Sequence, residues 1–205
     1  NLEQFKNGEY DILLGTQMVA KGLNFPNLQL VGIILADTGL HMPDFRAGER
    51  TFSLITQVAG RAGRYFPDGK VIVQTYNPFQ EPIAFAAAGK IREFYQMELQ
   101  TREILDFPPF CRMIRIVFRS ADQRLAWNAC SQAAQILNTN LSKGILIMGP
   151  AECPVNKISR NFRYQILMKA SSIVPLQSLA RNLQTKYRLN PNVYAEYEVD
   201  PVNLL

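Results

Sequence analysis

The run Asp106-Phe107-Pro108-Pro109 most constrains what this chain can fold into, because the apolar residues keep one rhythm before it and another after it. A residue that precedes proline is pushed out of the helical region, and proline has no backbone donor, so the helical stretch from Pro82 to about Leu105 must stop there. Before the break, Asp11 to Thr16, Gln29 to Ala36 and Lys70 to Thr75 are short and mostly apolar, and Glu49 to Ala59 sets Phe52, Ile55 and Ala59 on one helical stripe. Strands apolar on both faces with helices between them predict a parallel sheet covered on both sides.

After the break the pattern is amphipathic. Arg112 to Arg119 alternates, with Ile114, Ile116 and Phe118 on one side and Arg115 and Arg119 on the other. Ala121 to Leu141 has helical spacing, with Leu125, Ala129, Ala133, Ile136 and Leu137 as its apolar face. Strands are predicted at Ile145 to Met148 and Tyr164 to Lys169, a helix around Leu176, Leu179, Ala180 and Leu183, and a last strand over Val193 to Val199. The order β-α-β-β-α-β predicts an α+β, ferredoxin-like unit. Two domains are therefore expected, residues 1–106 and 107–205.

Charge divides at the same place. Residues 1–106 hold 10 Lys+Arg against 12 Asp+Glu, and residues 107–205 hold 12 against 5, within a net charge of +5. A basic second half points to a polyanionic partner. The 3 cysteines are far apart and there is 1 histidine, His41, so the usual zinc ligand sets cannot be assembled. Buried, unpaired thiols in a reducing, cytoplasmic setting are the expectation, with His41 a solvated loop residue. No apolar run is long enough to cross a bilayer, so no membrane association is expected. The start NLEQFKNGEY shows no secretion signal and lacks a Met, which reads as a cut from a longer chain.

Two segments carry chemistry. In Gln57-Val58-Ala59-Gly60-Arg61-Ala62-Gly63-Arg64, two arginines three residues apart stand among glycines at a helix end. Guanidinium forks are permanently charged and bind phosphate oxygens in pairs, although Gly-Arg pairs also occur in ordinary solvated turns. Upstream, Thr16-Gln17-Met18-Val19-Ala20-Lys21-Gly22-Leu23-Asn24-Phe25-Pro26 follows a predicted strand, and Gly22 permits close backbone approach to a ligand.

In order and separation these segments resemble motifs V and VI of superfamily-two helicases. Together with Pro43-Asp44-Phe45-Arg46-Ala47-Gly48-Glu49-Arg50 and, later, Phe107-Pro108-Pro109-Phe110, Gly149-Pro150-Ala151, Arg163-Tyr164-Gln165-Ile166-Leu167 and Val199-Asp200-Pro201, they resemble the PriA family of replication-restart helicases over essentially the whole chain. The resemblance implies a RecA-like second helicase lobe, present in part, followed by a DNA- and partner-binding domain. It implies that Arg61 and Arg64 reach the nucleotide phosphates, with Gln57, Gly22 and Asn24 near the nucleotide and Thr16 and Lys21 near the DNA. Asn24 departs from the Asp that many relatives carry, and Lys21 from their Arg. ATP and Mg2+ would be shared with a first lobe, since neither a GxxxxGKS/T phosphate loop nor a Walker-B-like acidic motif occurs here. Zinc would belong to a cysteine-rich module elsewhere in such proteins. The implied partners are forked and single-stranded DNA, single-stranded DNA-binding protein and other primosome proteins, at a nucleoid-associated cytoplasmic location and with 3′→5′ polarity.

The densest cationic stretch of the second half is Lys157, Arg160, Arg163 and Lys169, interleaved with Phe162 and Tyr164. Lys157, Arg160 and Arg163 are expected to contact DNA. Phe162, Tyr164, Ile166 and Met168 are expected on the core side of one strand. Two other readings stay open at this point: a different superfamily-two translocase, or a non-catalytic nucleic-acid-binding module whose arginines only hold phosphates.

Overall fold

The computed structural model describes residues 2–16, 25, 28–62 and 69–204, with the side chain of Arg61 outside that description. The chain separates into two compact units, residues 1–99 and 100–205.

In the first unit, a short helix α1 (Leu2–Lys6) precedes strand β1 (Leu30–Ile33), a 3-10 turn (Ala36–Gly39), helix α2 (Ala47–Ala62), strand β2 (Lys70–Val73), helix α3 (Glu81–Ala87) and helix α4 (Ile91–Ile104), in which the unit ends. β1 and β2 pair in parallel, Leu30 opposite Lys70 and Ile33 opposite Val73, as the helical crossover between them requires. α2 turns Phe52 and Ile55 inward, where they meet Ala36, Ile83, Ala86 and Phe94, and the Phe52 and Phe94 rings stack with centroids 3.9 Å apart.

The second unit runs β3 (Arg112–Ser120), α5 (Gln123–Thr139), β4 (Ile145–Ile158), β5 (Asn161–Ala170), α6 (Ile173–Lys186) and β6 (Tyr194–Val199). Its sheet has the order β4-β5-β3-β6 and every pairing is antiparallel. This is the ferredoxin-like arrangement expected from the sequence. One face packs against α5 and α6, burying Ile114, Ile116, Phe118, Ile166, Met168, Ala133, Leu137, Leu176 and Leu183. Asp122 caps α5, its carboxylate accepting from the backbone N–H groups of Arg124 and Leu125 at 2.8 and 3.2 Å.

Several expectations are corrected. Asp11 to Thr16 forms no strand, and Ile12 and Leu14 are 81% and 85% exposed. An apolar run becomes a strand only where a neighbouring segment forms a ladder with it, and no such ladder runs along 11–16 among the described residues. β1 is shorter than expected, since Leu35 adopts φ 52° and Ala36 opens the 3-10 turn. The predicted helix from Pro82 is two helices, broken at Gly89, whose φ of +66° lies outside the helical region. β4 is far longer than Ile145 to Met148.

Candidate functional site

α2 carries the first part of the arginine motif, Gln57 to Ala62. Asp44 prepares its entry, accepting from the Arg46 N–H at 2.9 Å and pairing with Arg50 at 3.1 Å, negative charge being favourable at this end of a helix. Because Phe52, Ile55, Val58 and Ala62 hold the helix to its core, Gln57 is turned to solvent. The backbone of Arg61 lies about one turn beyond Gln57, in the last turn of α2. Arg64, Lys21, Gly22 and Asn24 lie outside the described residues. Thr16 is described, exposed, and outside any regular element.

The carboxyl ends of β1 and β2 carry a feature that residue pattern alone did not single out. Asp37, buried, accepts from the Thr75 hydroxyl at 2.8 Å and from the Tyr76 N–H at 3.0 Å. Those two bonds, the hydroxyl first, hold its carboxyl below the usual carboxylate range. Asp37 thereby ties together the segments that leave the two parallel strands, at the end of an open α/β sheet where ligands bind. The available signal was an acidic residue soon after one apolar run and a threonine soon after another, although both strands are half-exposed and not covered on both sides among the described residues.

In the second unit, the basic residues sort by environment. The β4–β5 hairpin turns at Ser159 and Arg160, both at positive φ, 48° and 67°, and this leaves Arg160 exposed. Lys157 is exposed and sits opposite Phe162, its ammonium 4.3 Å from the ring centroid. Arg163 is half-buried and donates through Nη1 to the Val155 carbonyl at 3.2 Å. Lys169, the fourth cation of the stretch, is withdrawn from the surface: its ammonium donates to the Leu105 carbonyl at 3.2 Å and lies 4.5 Å from the Phe107 ring centroid. Backbone just before the Pro108-Pro109 break thus covers this residue.

Tyr164, Ile166 and Met168 face the core as expected, with Phe162 packed against it. All 3 cysteines are free and buried. Burial pushes the Cys130 thiol up to about 12 and the Cys111 and Cys153 thiols upward too, so none is primed as a nucleophile. His41 is an exposed loop residue. Among the described residues no group of acidic, histidine or cysteine side chains is placed to hold a metal ion, and no helix is long and apolar enough to cross a membrane.

Each unit corresponds to a known domain family. Residues 1–66 match the helicase conserved C-terminal domain, and residues 103–202 match the primosomal protein N C-terminal domain. The whole chain is also 50% identical over 204 residues to the replication restart protein PriA of Treponema pallidum. The chain belongs to the PriA family. PriA of Borreliella burgdorferi is 39% identical over 205 residues, and PriA of Bacillus subtilis is 39% identical over 187 residues, 91% of this chain. The chain spans 31% of the length of the first two PriA proteins and 23% of the third. A parallel-sheet helicase lobe, here in part, followed by an antiparallel α+β domain is thus the fold of this PriA segment.

Proposed function

We propose that this chain is part of an ATP-dependent 3′→5′ DNA helicase that recognises stalled or abandoned replication forks and initiates primosome assembly for replication restart. The observation that carries this reading is the presence, in one chain, of a helicase lobe and a primosomal domain, and the alignment of the full chain with 31% of the length of a PriA protein. Residues 1–106 would act as half of the motor and residues 107–205 as the DNA- and partner-binding domain.

In this reading Arg61 and Arg64 meet the nucleotide phosphates. Such cations can accelerate phosphoryl transfer by roughly 10³ to 10⁵. Gln57, exposed on α2 one turn before Arg61, stands where it can order the same cleft, with Gly22 and Asn24 along the nucleotide. Thr16 and Lys21 take the DNA backbone, joined on the second unit by Lys157, Arg160 and Arg163. This chain would supply half of an ATP site, with the arginines of the Gln57–Arg64 motif as the cations offered to the phosphates. The phosphate loop and the Mg2+-binding carboxylate would belong to a first lobe, and zinc to a separate cysteine-rich module. Single-stranded DNA-binding protein and other primosome proteins are the partners, at the nucleoid in the cytoplasm.

Steady-state ATP hydrolysis tests the motor. The chain alone should turn over no ATP above background. Mixed with a separately produced first lobe it should show DNA-stimulated hydrolysis, and Arg64→Ala should abolish that activity. DNA binding without turnover in the mixture would leave only a nucleic-acid-binding module.

A further inference from the structure

The only tryptophan of the chain, Trp127, is 41% exposed near the start of α5. It is not a core residue that happens to reach the surface, because its surroundings are arranged. Its ring meets Tyr164 in a T-shaped contact, centroids 5.2 Å apart at 64°, so the two rings are not stacked flat on one another. Tyr164 is itself fixed: it is buried, and its hydroxyl accepts from Gln123 Nε2 at 3.0 Å. Two residues back along β5, on the same side of the strand, stands half-buried Phe162, with the Lys157 ammonium over its ring. On α5, exposed Arg124 precedes Trp127 by three positions and so shares its helix face. Aromatic rings of two elements thus meet here, with one cation over Phe162 from the hairpin and another on the helix face that carries Trp127. Two acids lie nearby: Asp122, whose carboxylate caps α5, and Glu152, opposite Tyr164 in the β4–β5 register and engaged by Asn156 at 3.5 Å.

We infer that Trp127, backed by Tyr164 and extended by Phe162, is a stacking platform for the bases of an unpaired nucleic-acid strand, whose phosphates are taken by Lys157 and Arg124. Bases offer flat π-faces only when unpaired, whereas a duplex presents its phosphates outward and keeps those faces stacked, so the platform selects single strands. The inference rests on the proposed DNA-binding role of the second unit and adds to it the residues on which unpaired bases stack.

Because Trp127 is the only tryptophan, its fluorescence reports the platform directly. Titrating the 205-residue chain with oligodeoxythymidine should quench this emission, and a duplex of equal length should quench it much less. Binding followed independently by anisotropy of labelled oligonucleotide should weaken at least about fivefold in Trp127→Leu and be largely kept in Trp127→Phe, which preserves a ring. Salt-sensitive binding without quenching, equal in the wild type and Trp127→Leu, would overturn the platform and leave the DNA-binding role standing. Equal quenching by single strand and duplex would overturn its selectivity. Failure to bind either form would remove the DNA-binding role and the platform with it.

Discussion

At the scale of single residues, the most consequential side chain of the second unit is Arg115. It lies mid-strand in β3 at 1% exposure, and a guanidinium there loses its hydration entirely. The loss is offset by internal acceptors: Gln165 Oε1 takes Nε at 2.7 Å, while Glu198 Oε2 and the Asn203 carbonyl take Nη1 at 3.4 and 3.5 Å. Arg115→Ala would leave a cavity and take the donor from Gln165, while the 41% exposed Glu198 regains water, so the loss of stability should be about 2–4 kcal/mol. Urea unfolding followed through Trp127, which reports this unit alone, should show a clearly lowered midpoint. An unchanged midpoint would mean that the network contributes nothing. The sequence told only half of this residue's story. Its place on the polar side of an alternating strand was legible, but alternation specifies a face and not its exposure. Leu105 and Phe107 before the sheet and Asn203 after it reach back to that face, and nothing local in the strand announces them.

At the scale of elements, what was legible follows from where each element lies in its sheet. α5 and α6 each bury one defined face, and β3, β5 and β6 each turn one alternate set of apolar side chains to the helix-packed core, so these elements keep the 3.6 or 2.0 period that betrays them. β4 broke the pattern because it is an edge strand. An edge tolerates prolines at 150 and 154 that a central strand would reject, so its sequence resembles a loop. Its register slips between Met148 and Ala151, and the slip is built on Gly149 at φ +111°. A Cβ at that position would stand 2.7 Å from the Gln165 carbonyl oxygen, which belongs to the neighbouring backbone and cannot swing away. Gly149→Ala should therefore destabilise the second unit by about 2 kcal/mol or more, from backbone strain and the clash together. Chemical denaturation measures it, and a cost below about 0.5 kcal/mol would show that the hairpin relaxes freely. The first unit was less legible for the opposite reason. The Asp11 to Thr16 run carried the composition of a strand without a described partner to pair with, and pairing is a property of two segments, not one.

At the scale of the whole molecule, the separation of charge between the halves becomes a statement about binding only after the structure removes the cations that are already spent. Lys169 is turned inward, Arg115 is buried, and Arg112 and Arg119 pair with Asp200 and Glu196 on neighbouring backbone. Among the residues expected to meet DNA, this leaves Lys157 and Arg160 exposed at the hairpin tip, while Arg163 is half-buried and holds the Val155 carbonyl. Each phosphate neutralised releases condensed counterions and adds about 0.7 to the slope of log affinity against log salt for a single strand. Replacing Lys157 and Arg160 together by Ala should therefore flatten that slope by about 1.4, with the fold retained because both side chains stand in solvent. Arg163→Ala should flatten it less and instead loosen the hairpin, since its guanidinium is already committed to the backbone. Anisotropy titrations across a series of salt concentrations separate the two effects. A double variant with the wild-type slope would place the phosphate track elsewhere on the domain, and the net positive charge of this half would then act only as a diffuse field that draws DNA in without fixing where it lies.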